Sequence, residues 1–324
     1  MSQNIEYQYI RPILRPKTTN RNQIFKGQVK EVKCKIHYLN QSQSEVSDYT
    51  YWKFDQIGNL IYFGYTINGK GGDRYVYFFD KNNNLTSTEW YNETTSELYT
   101  TTRYKYDEFN KLENIQEFNK KGEPRDEKKF FYKNSSKPYE IHVYQDNVID
   151  LSKPIGYYNH ELSEIQKLEY DERGNLIKLD NINGNNKLES TIKYIFDKKD
   201  RCVDECGYVP EAGYAFLYEF NDTDNSVTFY NSRKGVKEKL HRDKYLGDKL
   251  ICVSGFRNSK IVIEKEYQYD NMGNLIFMIT SEDNKKNSKL ERNYTYDKFG
   301  NHLSINTLLD DIKTELRTFE FEYY

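Results

Sequence analysis

The chain has 324 residues, with 48 Lys+Arg against 50 Asp+Glu and a formal net charge of −2, so it lacks the basic excess that a nucleic-acid or anionic-membrane partner needs. Aromatic residues make up 16% of the sequence, with 31 Tyr, 18 Phe and 2 Trp, which excludes a disordered chain. No stretch approaches the ~18 uninterrupted apolar residues of a membrane-spanning helix.

In chain order, residues 1–26, with Arg11-Pro12 and Arg15-Pro16, read as an extended N-terminal arm leading into a first strand at Gly27-Gln28-Val29-Lys30-Glu31-Val32. A short motif then recurs. Asp55-Gln56-Ile57-Gly58-Asn59-Leu60 returns as Asp171-Glu172-Arg173-Gly174-Asn175-Leu176, as Asp270-Asn271-Met272-Gly273-Asn274-Leu275 and as Asp297-Lys298-Phe299-Gly300-Asn301. Weaker copies start at Asp80, Asp107, Asp197 and Asn221. Successive anchors lie 25, 27, 64, 26, 24, 49 and 27 residues apart, so the unit is close to 25 residues and the two long gaps hide degenerate units. Their candidates are Phe130-Phe131-Tyr132-Lys133 and the stretch around Tyr245.

The fourth motif position is Gly58, Asn83, Asn110, Gly174, Asp200, Asp224, Gly273 or Gly300. Gly, Asn and Asp are the residues that tolerate positive φ, and a leading Asp or Asn bonds the backbone two residues on. Each copy is therefore a hairpin turn, a type I turn closed by a left-handed bulge residue. The residue before each anchor is aromatic: Phe54, Phe79, Tyr106, Tyr170, Phe196, Phe220, Tyr269 or Tyr296. Two residues further back stand Trp52, Tyr77, Tyr104, Leu168, Tyr194, Tyr218, Tyr267 and Tyr294, with mostly polar residues between. Alternation with period 2 marks a strand with one buried face.

The pattern predicts an all-β fold, an antiparallel meander of about 20 strands built from ~25-residue β-hairpin repeats. Accumulated strand twist would coil it into an elongated, spiralling sheet. Residues 27–135 form a first block of repeats and residues 166–324 a second. Residues 136–165 between them, with Lys153-Pro154 and Tyr157-Tyr158-Asn159-His160, read as a divergent unit or a long loop, and long loops are more often functional than neutral.

Chemistry-bearing residues are sparse. Cys34, Cys202, Cys206 and Cys252 follow no disulfide framework and read as reduced thiols. The amino terminus shows no apolar secretory run, so the reading is cytoplasmic. Cys202-x3-Cys206 offers two thiolates where a structural zinc needs four, and reads as small hydrophobes. None of His37, His142, His160, His241 and His302 sits in a nucleophile motif, and Gly69-Lys70-Gly71-Gly72 lacks the order of a phosphate loop and reads as a hairpin loop. No catalytic, cofactor or metal residue is assigned, and the expectation is a protein that is not an enzyme. Aromatics outside the stripe remain: Trp90, Tyr91, Tyr157 and Tyr158, with His160, are the candidate partner contacts, because rigid rings bury much area at little entropic cost.

At Tyr267-Gln268-Tyr269-Asp270-Asn271-Met272-Gly273-Asn274-Leu275 and Tyr294-Thr295-Tyr296-Asp297-Lys298-Phe299-Gly300 the sequence resembles the bacterial YD-repeat, or Rhs (rearrangement hotspot), family. It is also similar to short Bacteroidetes-type proteins with Tyr-Asp-x-x-Gly-Asn repeats. The similarity covers residues 50–135 and 165–324. It implies a β-hairpin repeat protein linked to carbohydrate binding or toxin systems, and it implies no reaction. Large members cut themselves near an Asp-Pro motif, and this chain has no Asp-Pro dipeptide. The leading expectation is a non-enzymatic scaffold that presents an extended β surface to a protein partner, in the role of an immunity protein that neutralises a toxin. One alternative is carbohydrate binding through exposed aromatics. The other is an acid-pair glycoside hydrolase, which needs two carboxylates across a cleft.

Overall fold

The computed structural model describes residues 25–39, 47–67, 70–133, 136–146, 160–209, 212–233, 236–282 and 285–324. Its Asp-led corners are hairpin turns held by their own carboxylates. At Asp107, Oδ1 accepts the backbone N–H groups of Phe109 at 2.9 Å and Lys111 at 2.8 Å. The Asn110 N–H closes the turn onto the Asp107 carbonyl at 3.0 Å. Asp80, Asp197, Asp270 and Asp297 repeat the arrangement. The fourth residue is left-handed in seven copies, from Asp200 at φ 58° to Gly58 at φ 97°. The copy at Asn221 departs from the expected pattern. There the strand pair ends at Asn221 and Ser226, the loop is a residue longer, and Asn225 (φ 49°) takes the left-handed position in place of Asp224.

The described residues form 22 strands and no helix, and Leu168–Leu179 and Tyr267–Ile279 are both hairpins. Two compact units divide the chain: residues 1–165 with 295–304 and 316–324, and residues 166–294 with 305–315. The first unit holds β1 (Val29–Tyr38), β2 (Ser47–Phe54), β3 (Leu60–Thr66), β4 (Asp73–Phe79), β5 (Leu85–Asn92), β6 (Leu98–Tyr106), β7 (Leu112–Asn119), β8 (Pro124–Phe131) and β9 (Glu140–Asp146). The second holds β11 (Leu176–Asn183), β12 (Leu188–Phe196), β13 (Cys202–Val209), β14 (Ala212–Asn221), β15 (Ser226–Arg233), β16 (Val236–Leu246), β17 (Lys249–Arg257), β18 (Lys260–Tyr269) and β19 (Leu275–Glu282). Residues of β10 (His160–Tyr170), β20 (Lys285–Tyr296), β21 (His302–Leu309) and β22 (Ile312–Tyr323) fall in both.

Each strand pairs with its chain neighbour, and β22 also pairs with β1. This corrects the expectation of an elongated open sheet, because the 22-strand meander closes on itself as a β-barrel topology. The reason lies in the two end strands. The last one continues the aromatic alternation through Phe319, Phe321 and Tyr323, and the first offers the fully buried Val29 and Val32 to the same cluster. An open sheet would leave both edges unpaired. The degenerate units fill the two gaps, β8 with β9 and β16 with β17. Of residues 136–165, Glu140–Asp146 and His160 onward are strand. Residues 1–24 of the arm, Gly69 and residues 147–159 lie outside the described residues.

Successive hairpins are stitched to each other at the turn end. The Tyr106 hydroxyl donates to the Leu85 carbonyl at 3.1 Å, Tyr132 to Leu112 at 2.9 Å, Tyr269 to Leu250 at 2.8 Å and Tyr294 to Leu275 at 2.6 Å. In each case the acceptor is a Leu at the first or second position of the return strand one unit earlier. Asn side chains add a second stitch: Asn84 donates to Asn110 at 2.7 Å and Asn175 to Asp200 at 3.1 Å. The opposite ends of the hairpins use the same Asx turn, at Asn119 with Gly122 left-handed and at Asn183 with Asn186 left-handed.

The closing seam in the first unit centres on Asn301, which is 4% exposed. It accepts from the Lys26 N–H at 2.6 Å and donates to the Lys26 carbonyl, Asp297 and Tyr323 at 2.8–3.1 Å. Beside it Phe25 meets Trp52, Phe54 and Phe321 edge-on at 5.7, 6.1 and 5.5 Å. The second unit buries Leu168, Leu179, Ile182 and Val227.

Asp107→Ala is expected to destabilise the protein by about 2 kcal/mol, the worth of charge-assisted hydrogen bonds lost at one corner. Asp107→Asn should cost much less, because Asn119 and Asn183 perform the same task; chemical denaturation compares the two. Burial works against ionisation of Asp297, yet the hydrogen bonds from Tyr323 and Asn301 hold its carboxyl below the ordinary 3.8. A folded value below the unfolded one adds stability above that pH and loses it as pH falls through the folded value. Denaturation midpoints should therefore drop as pH falls below about 3.8, and Asp297→Asn should flatten the drop.

Candidate functional site

Trp90 and Tyr91 are adjacent on β5 and so face opposite sides of the sheet, because side chains alternate along a strand. Directly opposed residues share a face. The Trp90 face carries the row Val32, Trp52, Phe63, Tyr75, Trp90 and Thr100 across β1 to β6. Its rings follow one another at 6.0, 6.1 and 6.0 Å from Trp52 to Trp90, and Tyr99 closes the series edge-on at 5.1 Å. This row runs into the buried cluster of Phe25, Val32 and Phe54, so its first duty is packing.

The Tyr91 face is different in kind. Its row is Lys33, Tyr51, Gly64, Arg74 and Tyr91, flanked by Tyr49, Lys53, Tyr62 and Glu89. Gly64 makes a dip in this surface: a Cβ there would lie 3.1 Å from the Tyr62 hydroxyl oxygen and 3.4 Å from the Arg74 Cβ. Tyr62 lies over the dip and donates to Glu93 at 3.1 Å. The glycine loop places Glu93. Gly72, at φ 137°, leaves no room for a Cβ, which would sit 1.9 Å from the Tyr65 carbonyl oxygen. From that position its own carbonyl accepts the Glu93 N–H at 2.9 Å, and the Gly71 N–H donates to Thr94 Oγ1 at 2.9 Å.

Electrostatics keep the phenols of this face protonated. Burial, then Glu93, pushes the Tyr62 hydroxyl up to about 12. Its hydrogen bond to Glu89 at 2.6 Å, then burial, pushes Tyr91 up, and burial raises Tyr51. All three are hydrogen-bond donors at neutral pH. The ring faces are occupied by cations: the Arg74 guanidinium lies 4.5 Å over Tyr91, the Lys53 ammonium 5.5 Å over Tyr62 and the Lys35 ammonium 5.8 Å over Tyr49. Arg74 Nε is buried without a hydrogen-bond partner, as is the Trp90 indole N–H on the other face.

Of the residues singled out from the sequence, the structure thus sets Trp90 in a packing row and Tyr91 in a tyrosine and arginine patch. His160 opens β10, and Tyr157 and Tyr158 lie outside the described residues. Tyr49, Tyr51, Gly64 and Arg74 were missed; the signals available were Tyr49-x-Tyr51 and a glycine in mid-strand. Among the described residues no group of three His, Cys, Asp or Glu side chains is disposed to hold a metal ion. Burial, followed by Asp204, pushes the Cys206 thiol up to about 11, and burial raises Cys202. Burial, followed by Asp126, raises Glu117, and Arg125 at 3.9 Å opposes the shift.

No family model matches the chain, and no curated protein matches it. Among solved structures it is similar to TcdB2-TccC3-TEV, at 11% identity over 87% of this chain and 18% of that one, TM-score 0.31. TcdB2-TccC3 without its hypervariable C-terminal region gives 10% identity, 86% and 18% coverage and a TM-score of 0.32. A porin-like protein from Bacteroides uniformis ATCC 8492 gives 8% identity over 92% of this chain and 98% of that one, TM-score 0.27. The chain spans about 18% of the length of the TcdB2-TccC3 chains.

Gly64→Ala should push Tyr62 off the dip and away from Glu93. The expected result is a Tyr62 pKa that falls from about 12 toward 10, read by NMR titration of ring-labelled tyrosine, with little loss of stability because the displaced atom ends a flexible side chain.

Proposed function

We propose that this is a non-enzymatic binding protein of the YD-repeat type, and that it engages a protein partner through the Tyr51, Tyr62, Arg74 and Tyr91 face. The observation that carries the reading is the Tyr51–Gly64–Arg74–Tyr91 row, with a buried, unpaired Arg74 Nε. Tyrosine and arginine dominate the energetics of protein interfaces, where they supply large rigid area and donors. Lys33 and Lys53 each lie 3.4 Å from Glu31, so Arg74 and Lys35 are the cations of this face that a carboxylate-bearing protein surface would meet. A toxin-neutralising role is the specific form of this reading.

Sugar binding is the weaker alternative on this face. Stacking on a pyranose needs a free ring face, and cations cover those of Tyr49, Tyr62 and Tyr91. A bilayer-embedded barrel needs an outward apolar band roughly 25 Å tall. The strand faces argue for water on both sides: Glu31, Lys33, Lys35 and Lys53 mark one face in the first unit, and Arg242, Lys244, Glu264 and Glu266 one in the second. Asp243 and Lys265 mark the other face of the second unit. These charges, with four free thiols, support residence in a reducing aqueous compartment such as the cytoplasm.

Affinity capture from the native host should recover a stoichiometric protein partner with the wild type. Arg74→Ala and Tyr91→Ala should each weaken that complex by about 2 kcal/mol or more, with unchanged circular dichroism. Capture that is indifferent to both substitutions, or a glycan array that responds while no protein is retained, would refute the assignment.

A further inference from the structure

On the second unit, the corner between β11 and β12 is led by an asparagine followed by a glycine, Asn183-Gly184. Its side-chain amide is held at both ends. Oδ1 accepts the backbone N–H groups of Asn185 at 3.1 Å and Lys187 at 3.0 Å, and Nδ2 donates to Glu189 Oε1 at 3.0 Å. The Asn186 N–H closes the main chain onto the Asn183 carbonyl at 2.8 Å. Gly184 is exposed, and its N–H has no hydrogen-bond partner among the described residues.

Two other asparagine-led corners supply the comparison. Asn92 Oδ1 accepts from Thr94 at 3.0 Å and Thr95 at 2.8 Å, but its Nδ2 donates to the Tyr99 hydroxyl at 2.8 Å and the next residue is Glu93. Asn119 comes nearer. Its Oδ1 accepts from Lys121 at 2.9 Å and Glu123 at 3.1 Å, and its Nδ2 donates to Glu123 Oε2 at 2.8 Å, but Lys120 follows in place of a glycine. Among the described residues, Asn183 alone joins two donors on Oδ1, a carboxylate on Nδ2 and a following glycine.

These groups match the needs of one reaction, the attack of a main-chain nitrogen on a neighbouring side-chain amide. Glycine has no Cβ to hinder the approach of its nitrogen. Negative charge develops on Oδ1 as the bond forms, and donors already aimed at that oxygen stabilise it. We propose that Asn183 is a self-modifying site that sheds its side-chain amide as ammonia. Gly184 N bonds to Asn183 Cγ, the Cγ–Nδ2 bond breaks, and the Gly184 amide proton departs on Nδ2, delivered by Glu189 as the positioned acid–base group. A cyclic succinimide results. Water then opens it at either carbonyl, giving an aspartyl or an isoaspartyl residue. The aspartyl form reproduces the type of corner seen at Asp107, whereas the isoaspartyl form adds a carbon to the main chain inside the turn. The corner thereby records elapsed time in a covalent, one-way step.

Prolonged incubation of the full chain at neutral pH, followed by mass mapping of its proteolytic peptides, tests the assignment. Asn183 should lose its amide about tenfold faster than Asn119, and Glu189→Gln should slow that loss about tenfold, below the usual range for a positioned proton-transfer group because Glu189 is exposed. In urea, where the carboxylate has no fixed position, the same substitution should have no effect. Gly184→Ala should abolish the preference over Asn119. Gly184 lies outside the left-handed region, so an unchanged melting temperature is expected for that variant and is measured alongside. Equal rates at Asn183 and Asn119 in the folded protein would overturn the proposal. So would a Glu189→Gln chain that keeps the wild-type rate or is slowed equally in urea, or a folded Gly184→Ala chain that keeps the preference.

Discussion

The corner made by one carboxylate and two backbone N–H groups is the constraint on which the rest of the structure depends. Asp107 shows its content: Oδ1 takes Phe109 and Lys111, and the chain reverses through a left-handed Asn110. That reversal fixes the phase of the following strand, so that Leu112 starts it on the buried side. Register in a sheet is all or nothing, because a slip of one residue exchanges the two faces. A turn that permits only one alignment therefore decides where every side chain of the hairpin goes.

Given that phase, the tyrosine hydroxyl follows as a second element. The aromatic stripe could have been Phe throughout if burial were its whole purpose. Tyr106, Tyr132, Tyr269 and Tyr294 instead reach back one unit and satisfy a Leu carbonyl. A ring that buries its body while its tip answers a main-chain acceptor serves packing and alignment together. Hairpins that are marginal alone thereby share their stability with their neighbours. The same economy of residue types gives the surface its character: tyrosines on the face away from the core keep protonated hydroxyls beside Glu89 and Glu93.

Much of this was legible in the sequence, because the turn and the stripe are local. The spacing of Asp anchors located the hairpins, and the gaps announced β8 with β9 and β16 with β17. Closure was not legible. It depends on β1 meeting β22 across almost the whole chain, and on Asn301 finding Lys26, contacts that no periodicity encodes. The Asn221 corner misled for a related reason: Asp224 and Asn225 both tolerate the left-handed region, and loop length chose the second. The Tyr91 patch was half legible. An aromatic off the stripe marks a surface residue, yet the row needs Gly64 and Arg74 from two other strands, and only register brings them together.

Closure of an up-and-down meander carries a parity rule. Adjacent strands alternate in direction, so the first and last can meet antiparallel only when their number is even, as it is for the 22 strands of the described residues. Because each hairpin adds two strands, gene duplication or loss of one whole unit conserves that parity, whereas loss of a single strand breaks it. The hairpin is thus the smallest step by which relatives of this ring could grow or shrink during evolution and still close.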